Sequence, residues 1–88
     1  MEDRLAARIV GAGLGHLIRM LPRNSLVVDV GAGSGLRARV LAERGMRVVA
    51  IEPDPLEEMR AHAMVSSLPA GRVEVVRAGV DELPEVMA

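Results

Sequence analysis

Three short runs of β-branched and apolar residues, Leu26–Val30, Arg47–Ile51 and Val73–Val76, alternate with segments of helical length. Runs of this kind suit strands buried on both faces of a sheet. Strand, helix, strand, helix, strand with short linkers predicts parallel pairing through right-handed crossovers, an α/β unit of the doubly wound type. The linkers show no shift in composition, so residues 1–88 read as a single unit.

The segments between the strands carry their own signals. Leu5, Ile9, Val10, Leu14, Leu17, Ile18 and Leu21 recur at helical spacing, which predicts a helix over Arg4–Leu21 ended by Pro22-Arg23-Asn24-Ser25. Gly11, Gly13 and Gly15 weaken that helix by about 1 kcal/mol each relative to Ala. A second helix is expected over Leu36–Arg44, with Leu36, Val40 and Leu41 inward and Gly45 at its C′ position. A third runs from Pro55 to Val65: Asp54 is its N-cap, Pro55 its first residue, and Glu57 completes a capping box. That helix presents Leu56, Met59 and Ala63 to the sheet. The tail from Gly79 to Ala88 has no clear periodicity.

Composition narrows what such a unit can do. With 88 residues the chain buries only about 60–65% of its unfolded surface, so its core is thin. Phe, Trp and Tyr are absent, leaving Leu, Val, Ile, Ala and the six Met residues to fill it. Lys, Gln, Thr and Cys are also missing, so only thirteen residue types occur and all 11 basic residues are Arg. A GC-rich genome and a deliberately reduced alphabet both produce Arg without Lys; the joint loss of Gln, Thr and every aromatic favours the second. Without cysteine there is no disulfide, thiolate metal site or Cys nucleophile. A net charge of −1 without aromatics offers neither backbone neutralisation nor base stacking, so nucleic acid is not an expected partner. Met1-Glu2-Asp3-Arg4 is unlike a secretory signal, and no apolar run reaches the ~18 residues of a membrane span. A cytoplasmic protein is expected.

The chemistry concentrates in Val28-Asp-Val-Gly-Ala-Gly-Ser-Gly35, at the end of the first strand. Glycines let the backbone pass close to a ligand, and the following helix contributes N–H groups and a positive dipole end. Glu52 ends the second strand about 20 residues beyond Gly31, where an acid reaches ribose hydroxyls in nucleotide-binding α/β folds. Asp29 lies inside an apolar strand, where a carboxylate is costly unless paired. Dinucleotide-binding strands carry an apolar residue there, and their G-x-G-x-x-G pattern needs Gly where Leu36 stands. Both features argue against NAD, whereas Arg37 and Arg39 near the loop favour an NAD- or nucleotide-binding unit.

Leu26-Val-Val-Asp-Val-Gly-Ala-Gly-Ser-Gly35 resembles the first motif of class I S-adenosylmethionine-dependent methyltransferases, and Val48-Val-Ala-Ile-Glu-Pro-Asp54 resembles their second strand and ribose-binding acid. Arg72 to Pro84 is similar to their third strand and adenine-bordering loop, and Leu17–Pro22 to the lead-in helix. The resemblance implies half of a Rossmann-like fold, three parallel strands in the order 3-2-1 with flanking helices, and S-adenosylmethionine as cofactor. In that likeness Gly31, Ala32, Gly33 and Gly35 form the loop along the methionyl and ribose portions. Asp29 orients the loop and meets the ammonium, and Glu52, followed by Pro53, takes the ribose hydroxyls. Gly79, Val80 and Asp81 border the adenine, with Gly79 where the family has an Asp and Asp81 as its substitute.

Family members continue into a fourth strand that carries substrate-facing residues, and this chain stops at Ala88 before it. The expectation is a cofactor-binding half with no catalytic residue and no metal site; His16 and His62 read as surface residues. Lacking that fourth strand, Leu26–Val30 is an exposed edge, which predicts a homodimer through pairing of two such edges. The competing readings are an NAD- or nucleotide-binding βαβ unit and a minimal α/β scaffold without activity.

Overall fold

The computed structural model of the protein describes residues 6–9, 21–79 and 81. Among them the sheet has parallel strands β1 (Ala6–Ile9), β2 (Leu26–Val30), β3 (Arg47–Ile51) and β4 (Val73–Val76), side by side in chain order. Helix α1 (Leu36–Glu43) joins β2 to β3, and α2 (Pro55–Val65) joins β3 to β4. The three expected strands thus have the expected bounds and pair in the expected order, β4 on β3 and β3 on β2, half of a Rossmann-like unit.

β1 corrects the expected first helix. Ala6–Ile9 is extended and pairs in parallel with β2, from Ala6 opposite Leu26 to Ile9 opposite Asp29. The edge of β2 offers a row of backbone donors and acceptors, and satisfying it outweighs a helical preference that propensity supports only weakly. Residues 10–20, with the rest of that helix and His16, lie outside the described residues. The same pairing overturns the premise of the homodimer: the supposedly free edge of Leu26–Val30 is taken by the chain's own β1.

β2 and β3 are buried on both faces, as continuous apolar strands require. On one face Val27, Val48 and Ala50 pack with Ala38, Leu41 and Ala42 of α1 and with Met46. On the other, Val28, Val30 and Ile51 pack with Ala78. Leu41 and Ile51 are the largest fully buried side chains, the role an aromatic takes in most cores.

α1 ends as its Gly45 predicts. Gly45 has φ +92°, its N–H donates to Ala42 O over 3.0 Å, and that of Met46 to Leu41 O over 3.1 Å. This is a Schellman closure, with Met46 folded into the same cluster as Leu41. The expected inward faces need correction at several positions. Leu36 is 59% exposed, Leu56 49% and Met59 63%, and Ala63 is exposed too. The buried residue of α2 is Ala61, which lies against Gly35 at the start of α1. Backbone approaches that closely only where both residues are small, so α2 turns its longer side chains outward. Met46 fills the core as expected, whereas Met59 does not.

Candidate cofactor-binding site

The loop from Gly31 to Gly35 leaves the carboxyl end of β2, the end at which open α/β sheets hold their ligands. The amides of Gly31 and Ala32 donate to Ile51 O over 2.8 and 3.0 Å, extending the β2–β3 ladder into the loop. Gly31, Gly33 and Gly35 have φ of +70°, +59° and +89°, a left-handed conformation that glycine adopts without strain. Their reasons differ. A Cβ on Gly35 would stand 2.8 Å from Ala61 Cα, whereas one on Gly31 would meet nothing within 4 Å among the described residues. Gly35 therefore serves helix packing, and Gly31 leaves the loop open on its outer side. Gly35 is also the N-cap of α1; no side chain caps that helix, and no acidic residue stands in its first turn.

Glu52 follows β3 and is buried. Its Oε1 accepts from Gly33 N over 2.7 Å and its Oε2 from Asp54 N over 2.9 Å, while its own N–H donates to Val76 O over 3.0 Å. One carboxylate thus ties the glycine loop, the end of β3 and the entry to α2. Asp54 caps α2 through Oδ1 to Leu56 N at 2.9 Å, as expected. The reciprocal bond of the capping box is Glu52's, not Glu57's. Glu57 pairs instead with Arg60 at 2.9 Å.

Asp29 is fully buried on the α1 face of β2. Arg37 donates to its Oδ1 through Nε over 2.8 Å, and Nη2 lies 2.7 Å from the same oxygen. Arg37 Nη2 is also 3.3 Å from Gly31 O, so the ion pair braces the loop. Oδ2 of Asp29 is buried and has no hydrogen-bond partner among the described residues. Burial pushes the Asp29 carboxyl above its ordinary value; Arg37 pulls it back, and the nearby Glu52 charge pushes the same way as burial.

The structure therefore brings together Asp29, the glycine loop and Glu52. Ala32 turns its side chain into the core, and Pro53 is exposed. Gly79 follows Ala78 beyond β4, Asp81 stands exposed further on, and Val80 lies outside the described residues. Arg37 and Arg39, which favoured an NAD- or nucleotide-binding unit, are both paired: Arg37 holds Asp29, and Arg39 pairs with Glu43 at 3.2 Å. Sequence reasoning missed Arg37 as the partner of Asp29. The signal was there, because a buried acid needs a cation and Arg37 stands eight residues away on the next helix. His62 is exposed and lies 3.5 Å from Glu58. No helix among the described residues is long and apolar enough to cross a membrane.

The arrangement has counterparts in known proteins. The sequence model of the methyltransferase domain matches residues 28–86, which include the end of β2 from Val28, both helices and the whole loop. An uncharacterized methyltransferase of Mycobacterium sp. (strain JLS) is 43% identical over 63 residues, 72% of this chain and 23% of that protein. The chain thus spans about a quarter of the length of the relative it matches. On the extent of the matched region, the chain belongs to the methyltransferase-domain family.

Proposed function

We propose that the chain binds S-adenosylmethionine as the cofactor half of a methyltransferase. The observation that carries this reading is the buried Oδ2 of Asp29, without a hydrogen-bond partner among the described residues, beside a glycine loop tied to Glu52. An anionic oxygen without a partner suits the ammonium of the cofactor's amino-acid arm. Glu52 has lone pairs beyond the two its backbone donors use, and these suit ribose hydroxyls. The open outer side of Gly31 leaves room for the arm between them. Gly79, Val80 and Asp81 border the adenine in this reading.

The cofactor supplies an electrophilic methyl group on a sulfonium. This chain's own residues bind and orient it: Asp29 holds its amino-acid arm and Glu52 its ribose, and the loop backbone sets the distance between them. Orientation is the main contribution a protein makes to such a transfer. The residues that choose and activate a methyl acceptor belong to further chain or to a partner, so transfer depends on that completion.

Isothermal titration of the 88-residue chain with S-adenosylmethionine, S-adenosylhomocysteine, NAD and ATP tests the reading. The first two are expected to bind and the others not. Tighter binding of NAD or ATP, or no heat from either adenosyl amino acid, overturns it.

A further inference from the structure

Arg37 and Asp29 form an unusual pair. A guanidinium and a carboxylate commonly meet fork to fork, two nitrogens on two oxygens. Here Nε and Nη2 converge on Oδ1 alone, at 2.8 and 2.7 Å, although Oδ2 is equally buried. The side chain of Arg37 reaches Asp29 from α1, which starts where the glycine loop ends, and its Nη2 also contacts Gly31 O. Arg37 is partly exposed, whereas Asp29 is not.

We propose that Arg37 is a positioning residue, which grips Asp29 by Oδ1 and thereby reserves Oδ2 for a cationic group on the ligand. The proposal rests on the cofactor reading above and adds a residue that selects for the ammonium-bearing arm. Arg37 does not touch the ligand in this account. It acts through Asp29 by fixing the rotation of the carboxylate and by pulling its carboxyl back toward the ordinary value. Among the described residues, the charged groups facing Asp29 are Arg37 from α1 and Glu52 from the end of β3. Without Arg37, burial and Glu52 both push the carboxyl upward, and a protonated Asp29 has no charge to attract a cation.

The test compares the 88-residue chain with Arg37→Leu, Arg37→Gln and Arg37→Lys. Two probes are titrated over a pH series running upward from the ordinary carboxylate range, above which a raised carboxyl separates from an ordinary one. S-adenosylhomocysteine carries the amino-acid arm; 5′-methylthioadenosine lacks it. Arg37→Leu is expected to weaken the first by about tenfold or more, the scale of one charge-assisted bond, and the second by less than about twofold. The loss is expected to shrink as pH rises, and Arg37→Lys to recover most of it. If Arg37→Leu loses its circular-dichroism signal, Arg37→Gln decides, because it removes the charge and keeps a donor for Gly31 O. Equal loss of both probes, or a loss independent of pH, overturns the proposal in favour of a structural brace. A third readout is independent of ligand: the Asp29 carboxyl carbon, followed by NMR, should titrate at higher pH in the uncharged variants. If the unaltered chain binds neither probe, the cofactor reading fails and this midpoint alone decides. A rise upholds Arg37's hold on the carboxylate, and an unchanged midpoint ends it.

Discussion

The amide of Gly33 donates to Glu52 Oε1 over 2.7 Å, joining residues nineteen apart in sequence at the mouth of the sheet. The acid that resemblance assigns to a ligand is therefore already the clasp of its own loop. Its second oxygen holds Asp54, so the clasp extends to the start of α2. In the proposed function, binding and loop geometry are linked through this one buried side chain.

Glu52→Gln is expected to lower stability by about 1–3 kcal/mol, because the variant has one acceptor oxygen for two backbone donors. Its amide nitrogen must face the N–H of either Gly33 or Asp54. Urea denaturation of the two chains measures the difference. A loss of cofactor affinity in this variant would include loop opening, so affinity and stability must be read together.

Gly35→Ala and Gly31→Ala separate the two uses of glycine in the loop. Both positions have positive φ, which costs an alanine roughly 1–2 kcal/mol. Gly35→Ala adds a contact at 2.8 Å with the Ala61 backbone, and overpacking of that kind costs about 1–3 kcal/mol more. Gly31→Ala meets open space, so its stability should fall by the backbone cost alone. Denaturation midpoints that rank Gly31→Ala as the more damaging change would contradict this assignment.

Asp54→Ala removes the side-chain bond to Leu56 N and should cost about 0.5–2 kcal/mol. Glu57→Ala loses an exposed pair with Arg60, worth about 0.2–1 kcal/mol. Thermal unfolding should therefore show the larger shift for Asp54→Ala. Equal shifts would restore a capping role to Glu57.

The raised Asp29 carboxyl has a consequence for pH. The native state holds this proton more tightly than the unfolded chain does, so stability falls as pH rises from the ordinary value of 3.8 to the folded one. Above that window the difference is constant. Asp29→Asn carries no such proton, so its stability relative to the unaltered chain should climb across the same window and then level off. Urea midpoints from about pH 3 to 7 follow this, and a relative stability that declines with pH would refute the sign.

The sequence made much of this architecture legible because its local signals agreed. The bounds of β2, β3, β4 and α2 all follow from β-branched runs, glycine turns and the Asp54–Pro55 start. Periodicity misled where a long-range partner decided the outcome. Ala6–Ile9 has apolar spacing compatible with a helix, but the edge of β2 recruits it as a strand. The inward face of α2 depended on how closely Ala61 could approach Gly35, a distance that no pattern of Leu and Met encodes. At the site, glycines and acids were visible one by one. The pairing of Arg37 with Asp29, and of Glu52 with two amides, needed the topology that brings the ends of β2 and β3 side by side.

The order of the strands bears on what kind of site this can be. In open α/β sheets a ligand crevice forms where strand order reverses and the flanking helices part to opposite faces. The described strands run β1, β2, β3, β4 without a reversal. Among the described residues, Asp29, the glycine loop and Glu52 therefore make a shelf along one lip of the sheet. A molecule held on a shelf is gripped by its polar groups and little by enclosure, so selectivity there rests on where a few charges stand. The side of the ligand turned away from the shelf is the side on which an acceptor could be offered.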